Sequence, residues 1–169
     1  KNDFDNYIEI YVKRIKINNL SDSIKEKRCI DLGSGNGVFC FALLECGAKS
    51  VVGLDFGEHN TKFATEIAKQ RGISDRAEFV TRSVYETGFN DGEFDFIIQN
   101  GVFHHLNNPH IAIQEAARIS KRDALFWYYC NSKDSMEADI LDCAVAVLKK
   151  ISSEELYNFY TELIIYFCV

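Results

Sequence analysis

Two carboxylates, three closely spaced glycines and a pair of histidines are the residues of this chain whose types and spacing can do chemistry. The glycines fall at 33, 35 and 37 in the run Asp31-Leu32-Gly33-Ser34-Gly35-Asn36-Gly37, which follows a short apolar segment at 28–32. A glycine-rich turn between a strand and a helix is a general anion and nucleotide site. Its backbone bends sharply and approaches the ligand, and the first turn of the helix offers unpaired N–H groups. The spacing departs from the dinucleotide-binding Gly-x-Gly-x-x-Gly, because Val38 stands at the third glycine position. No Lys-Ser/Thr follows the glycines, so the P-loop pattern is absent. Asp31, two residues before the first glycine, is ill placed beside a pyrophosphate and well placed for a cationic or amino-bearing ligand. Asp55 ends the next apolar segment. A carboxylate there can cap the helix that follows. His104 and His105 form the remaining reactive pair. Imidazole titrates near neutrality, so one of them can take a proton from an O–H or N–H. In the competing reading one packs beneath its loop and the other caps the next segment. Two adjacent histidines without a placed carboxylate or thiolate do not make a metal site, and none is expected.

Taken together, these runs resemble the class I S-adenosylmethionine-dependent methyltransferases. Residues 31–37 match the family's first motif, an acid-x-Gly-x-Gly-x-Gly, and Val51-Val52-Gly53-Leu54-Asp55 matches the second. The resemblance implies that Asp31, Gly33, Ser34, Gly35, Asn36 and Gly37 cradle the cofactor, that Asp55 bonds both ribose hydroxyls, and that Phe56 packs on the adenine. In the third motif, Phe79-Val80-Thr81-Arg82-Ser83-Val84, many relatives carry Gly-Asp where this chain has Arg82-Ser83. The implied adenine contacts are then Ser83 and Val84, with a hydroxyl in place of the stronger acceptor. Asn100-Gly101-Val102-Phe103-His104-His105-Leu106 resembles the fourth motif of the branch acting on small molecules, which adds Asn100 and Gly101 to the cofactor residues. The match runs from about residue 25 to 130. It implies transfer of a methyl group from S-adenosylmethionine to an O or N of a small-molecule acceptor, leaving S-adenosylhomocysteine. Two other functions use such a fold: a non-catalytic cofactor-binding or scaffold protein, and a nicotinamide-dependent oxidoreductase. The amino-methylating DNA enzymes' Asn/Asp-Pro-Pro-aromatic is absent after the fourth strand, and Pro109 is followed by His110 rather than a nucleophilic Cys.

The elements that must hold these residues are legible from periodicity. Phe4, Ile8, Tyr11, Val12 and Ile15 recur at helical spacing and end near Asn18-Asn19. Strands are expected at 28–32, 50–54, 77–82, 94–99 and 124–130, and helices at 38–46, 61–71 and 109–119. Gly47 stops the first of these helices, Asn60 or His59 starts the second, and Pro109 suits the first turn of the third. Strands this continuously apolar, alternating with helices over short links, predict an α/β doubly wound, mostly parallel sheet with helices on both faces, the Rossmann-like methyltransferase fold. A helix is expected over 136–150. Residues 163–169 extend a further helix or form a sixth strand, and the fold's last strands are expected to lie beyond the given sequence. One domain is expected over 1–169: an N-terminal helix (1–20), a cofactor-binding core (25–131) and a helical C-terminal segment (132–169). Tyr85, Phe103, Trp127, Tyr128 and Tyr129 either line an acceptor pocket or belong to the core. Strand alternation sends Tyr128 and Tyr129 to opposite faces.

Composition narrows the partners. The formal net charge is −6 and the basic residues are scattered, whereas nucleic-acid binders concentrate cations on one face. The local run Lys13, Arg14 and Lys16 reads as the solvated side of a helix. The longest apolar run, at 163–169, is too short to span a bilayer, and no signal peptide is visible. The six cysteines include no Cys-x-x-Cys pair, which suits reduced thiols in the cytoplasm.

Overall fold

The stripe of apolar residues from Phe4 to Ile15 folds as helix α1 (Asp3–Ile17) in a computed structural model that describes residues 3–129. A four-residue helix, α2 (Ser21–Ile24), follows, and then strand and helix alternate. These are β1 (Arg28–Leu32), α3 (Val38–Glu45), β2 (Ser50–Asp55), α4 (Glu58–Gln70), β3 (Ala77–Thr81), β4 (Phe94–Asn100), a single 3-10 turn at Phe103–His105, α5 (Pro109–Ile119) and β5 (Ser120–Tyr129). The chain divides into two compact units, Lys1–Cys130 and Asn131–Val169. The helix expected over 136–150 and the segment 163–169 lie outside the described residues.

The five strands form one parallel sheet in the order β3-β2-β1-β4-β5. Both faces are covered, as the unbroken apolar strands require. On one side Cys29, Val51, Phe96 and Ile98 pack with Ile8, Ile15, Phe39, Phe41 and Ala68 from α1, α3 and α4. On the other, Ile30, Leu32, Val52, Leu54 and Ile97 meet Ala112, Ala116 and Ile119 of α5. Strand order reverses between β1 and β4, and ligands of such sheets bind in the crevice at that switch point. The glycine loop leaves β1 there, and Asn100 and the histidine turn leave β4 beside it.

Gly33 makes this crevice possible. Its φ is 94°, and a Cβ there would lie 2.4 Å from Val102 Cγ2, so the two loops pack through the missing side chain. Gly33→Ala is expected to cost about 2 kcal/mol, combining a left-handed backbone with displacement of Val102. Urea unfolding of the variant checks it, and a change under about 0.5 kcal/mol, the ordinary surface range, refutes this account.

Several boundaries differ from the sequence expectation, and three of them bear on the site. Helix α4 begins at Glu58 rather than 61, because Asp55 accepts the Gly57 N–H at 2.8 Å and fixes the turn ahead of the helix. Strand β5 begins at Ser120, directly after α5, rather than at 124. Its polar opening is tolerated because Lys121 bonds Asp95 Oδ1 at 2.8 Å, and a register shift sits between Phe94 and Phe96. Strand β4 extends one residue further, to Asn100.

Candidate active site

Asp55 is the hub of the crevice. It is half-buried at the end of β2, where strand alternation turns it toward the face carrying α3 and α4. Its Oδ2 accepts the Gly35 N–H at 2.8 Å, and its Oδ1 accepts the Gly57 N–H at 2.8 Å and the Asn60 side-chain amide at 3.2 Å. One carboxylate therefore ties the glycine loop to the start of α4. Asp55 thus anchors the turn ahead of α4 through Gly57 rather than capping the helix itself, and a carboxylate has further lone pairs for a ligand.

The loop is held from below. The Gly33 and Ser34 N–H groups donate to Leu54 O at 2.8 and 2.9 Å, and Gly37 N–H returns to Ser34 O at 2.9 Å. Gly37 and Gly53 have no side chains because the Phe79 ring occupies the space a Cβ would take, at 2.6 and 2.5 Å. Gly35 differs: nothing lies within 4 Å of where its Cβ would be, so that peptide faces open space. Asn36 is exposed, and its Oδ1 accepts the Val38 N–H at 3.4 Å at the start of α3.

Beneath the loop lie two buried polar groups. Asp31 is 2% exposed and its Oδ1 has no hydrogen-bond partner among the described residues; the same holds for Ser34 Oγ. Burial, helped by the Asp55 charge, raises the Asp31 carboxyl to about 7. An unpaired buried acid is costly, and functional sites are where such costs are retained. Phe56, immediately after Asp55, is 86% exposed.

The other expected residues lie around this centre. Ser83 is half-buried; its Oγ accepts the Tyr85 N–H at 3.2 Å, and its carbonyl accepts the Glu86 N–H. Val84 is buried in the core on the α5 face, so its side chain supports the loop from beneath. The same loop is anchored to α5, where Glu115 Oε1 accepts both Thr87 N–H and Thr87 Oγ1–H. The Arg118 guanidinium beside Glu115, with the Thr87 donors, holds that carboxyl down at about 2 despite burial. Gly101 N–H donates to Tyr129 O, and its backbone φ of 76° turns the chain into the histidine segment.

His104 and His105 are both exposed on their 3-10 turn, with ring centroids 3.9 Å apart. Burial and the neighbouring His105 lower the His104 pKa below its usual value, so this ring stays neutral at neutral pH. Of the aromatics, Trp127 and Tyr129 share the α1 side of β5, while Tyr128 turns to the other face against Phe103 and Phe126. The thiols are poor nucleophiles: burial pushes Cys29 up to about 12, and Cys40 rises well above its usual value.

One contact was not legible as a site residue. Arg14, read from sequence as part of a solvated cationic run, is half-buried. It reaches across to β4, donating to Asn100 Oδ1 at 2.9 Å, and lies over the Trp127 and Tyr129 rings. The available signal was its position three residues after Tyr11, beside the apolar stripe. Lys13 and Lys16 are exposed as expected. Among the described residues no helix is long and apolar enough to cross a membrane, and no group of three or more His, Cys, Asp or Glu could hold a metal ion.

Comparison with known proteins gives this crevice a family. A family model described as a methyltransferase domain matches residues 23–162. The chain is 31% identical over 99 residues to a ubiquinone biosynthesis O-methyltransferase of Maricaulis maris, covering 58% of this chain and 38% of that protein. It is also 31% identical over 118 residues to the ubiquinone/menaquinone biosynthesis C-methyltransferase of Brucella anthropi, covering 67% of this chain and 43% of that one. It thus spans less than half the length of either relative. The crystal structure of a candidate S-adenosyl-L-methionine-dependent methyltransferase from Methanococcus maripaludis shares 26% identity at a TM-score of 0.68, covering 95% of this chain and 76% of that one. With the parallel sheet, the glycine loop and Asp55 in place, the chain belongs to the methyltransferase-domain family of class I enzymes, whose methyl donor is S-adenosylmethionine.

Proposed function

We propose that this crevice binds S-adenosylmethionine and that the chain transfers its methyl group to an O or N of a small-molecule acceptor. The observation that carries the reading is the pairing of Asp55, half-exposed and hydrogen-bonded between two loops, with Asp31, buried and unpaired under the glycines. An adenosyl amino acid matches both ends: ribose hydroxyls for Asp55, and a cationic amino group for Asp31. Phe56 offers an open ring for the adenine, Ser83 keeps a lone pair and an O–H for its edge, and the Gly35 peptide leaves room for close approach. Asn100 and Gly101 form the wall on the β4 side. The family match leaves the nicotinamide-dependent reading without support.

When bound, the sulfonium supplies an already activated methyl carbon, so the protein's work is placement and proton removal. The imidazole of His104 or His105 accepts the proton that the acceptor O–H or N–H loses as its new bond to carbon forms. The acceptor leaves methylated and the imidazolium returns its proton to solvent. The relatives named above act on oxygen in one case and carbon in the other, so the choice of O or N belongs to this proposal. We place the protein in the cytoplasm, where free thiols such as Cys29, Cys40 and Cys46 persist.

Calorimetric titration of the full chain with S-adenosylhomocysteine is expected to give one saturable site, with no comparable heat from NAD. Absence of S-adenosylhomocysteine binding would overturn the proposal. Binding without turnover on a panel of phenols, amines and carboxylic acids would favour the non-catalytic alternative.

A further inference from the structure

The loop between β3 and β4 is fastened to α5 more firmly than a surface connection needs. Glu115 Oε1 accepts three donors: the Thr87 N–H at 2.9 Å, the Thr87 hydroxyl at 2.6 Å and Arg118 Nη2 at 2.7 Å. Its Oε2 accepts Arg118 Nε at 2.7 Å. The remaining nitrogen of that guanidinium donates to Asp91 Oδ1 at 2.6 Å, and the Arg118 carbonyl accepts the Gly92 N–H. Thr87 is fully buried and the Glu115 side chain is 11% exposed, so little water competes for these bonds. Ion pairs of this kind are a weak source of stability, because the charges lose water on folding; what they fix is position. With its carboxyl held at about 2, Glu115 stays ionised and the clamp stays shut near neutral pH.

The clamped residue closes a turn that holds Ser83. Arg82 opens the turn: its N–H donates to Asp55 O at 3.0 Å, and its Nη1 reaches over to Thr87 O at 2.8 Å. Ser83 lies inside, with its Oγ accepting the Tyr85 N–H and its carbonyl accepting the Glu86 N–H. These contacts of Ser83 stay within its own loop. Its place over the sheet is therefore set by buried Val84 and by the two ends of the turn, one tied to Asp55 and the other to Glu115. A hydroxyl that already accepts one hydrogen bond has a single lone pair left, which reads a ligand N–H only from a fixed place. We propose that Glu115 is a positioning residue for the base end of the cofactor, acting through Thr87 to hold the Ser83 hydroxyl against the 6-amino group of the adenine. This rests on the cofactor reading above and deepens it, and Glu115 itself touches no ligand.

The test compares S-adenosylhomocysteine with its analogue carrying hydrogen in place of the 6-amino group, by calorimetry on the full chain. The unmodified protein is expected to bind S-adenosylhomocysteine about fivefold tighter than the analogue, the worth of one neutral hydrogen bond. Glu115→Gln keeps the shape and removes the charge, and Thr87→Val removes the hydroxyl donor. In both, S-adenosylhomocysteine should bind at least threefold more weakly while the analogue stays within twofold, so the preference for the amino group collapses toward one. Thr87→Ser keeps the hydroxyl and should keep the preference. Should Glu115→Gln not fold, the two Thr87 variants carry the comparison alone. A preference that survives in Thr87→Val, accompanied only by a lower melting temperature, would make the clamp a strut of the fold and overturn the proposal. Equal binding of the two ligands by the unmodified protein would overturn it as well, since no hydroxyl would then be reading the amino group. Failure of the unmodified protein to bind S-adenosylhomocysteine defeats the parent reading, whereas binding with a preference indifferent to these substitutions defeats this inference alone.

Discussion

Asp31→Asn is expected to make the ligand-free protein more stable at pH 8 and to weaken S-adenosylhomocysteine binding by on the order of ten- to a hundredfold. Both effects follow from one carboxyl. Burial first, and the Asp55 charge second, raise it from 3.8 to about 7. Between those values the folded protein holds a proton that the unfolded chain has released, so stability falls as pH rises through this window and levels off above about 7. A shift of that size corresponds to a penalty on the order of 4 kcal/mol at pH 8. Asparagine escapes the charge but keeps a buried amide with unmet hydrogen bonds, so the net gain is smaller, a rise of a few degrees in melting temperature for a domain of this size. Toward the ligand the sign reverses. A cationic amino group prefers the ionised acid, so binding of S-adenosylhomocysteine should strengthen as pH climbs from 5.5 toward 7 and flatten above it. In Asp31→Asn that slope should vanish and affinity drop by one lost charge-assisted contact. Melting curves and calorimetry at pH 5.5, 7 and 8 decide it. Undiminished affinity in the variant, or a pH slope that survives, would remove Asp31 from the ligand's amino group.

Much of the frame around this centre is legible in the sequence, and the reason is physical. A parallel sheet covered on both faces must be built from apolar runs, so 28–32, 50–54 and 94–99 announced themselves. The loops between them could carry glycine and acid only for local reasons. What escaped was whatever depends on contacts distant in sequence. The charge at Arg14 belongs to a run that suits a solvated helix face, and only its reach to Asn100, 86 residues away, shows otherwise. The early start of β5 depends on Lys121 finding Asp95. Helix α2, four residues long, is too short to show a period. Helix α4 starts ahead of its periodic stretch because Asp55, at the end of β2, anchors Gly57 and Asn60 and fixes the turn that leads into it.

The double use of Asp55, for this turn and for the ligand, makes Asp55→Ala the other large effect. Removing the carboxylate takes away the acceptor for Gly35 N–H, Gly57 N–H and the Asn60 amide at once. The glycine loop and the turn ahead of α4 then lose their shared anchor, a loss comparable to that of a helix cap, about 1 kcal/mol in typical cases. The ribose loses two charge-assisted bonds, each worth about 1.5–3 kcal/mol, so S-adenosylhomocysteine affinity is expected to fall by on the order of 10²- to 10⁴-fold. Asp55→Asn separates the two roles. Its amide oxygen can still accept from Gly57, so stability should return most of the way toward that of the unmodified protein. The neutral group binds hydroxyls more weakly, so affinity should stay at least tenfold down. If the asparagine variant recovered stability and affinity together, the carboxylate would be acting on the ligand only through the shape of the loop. If it recovered stability alone, Asp55 touches the ligand directly, and the anchor of the turn ahead of α4 is also the hand that holds the ribose.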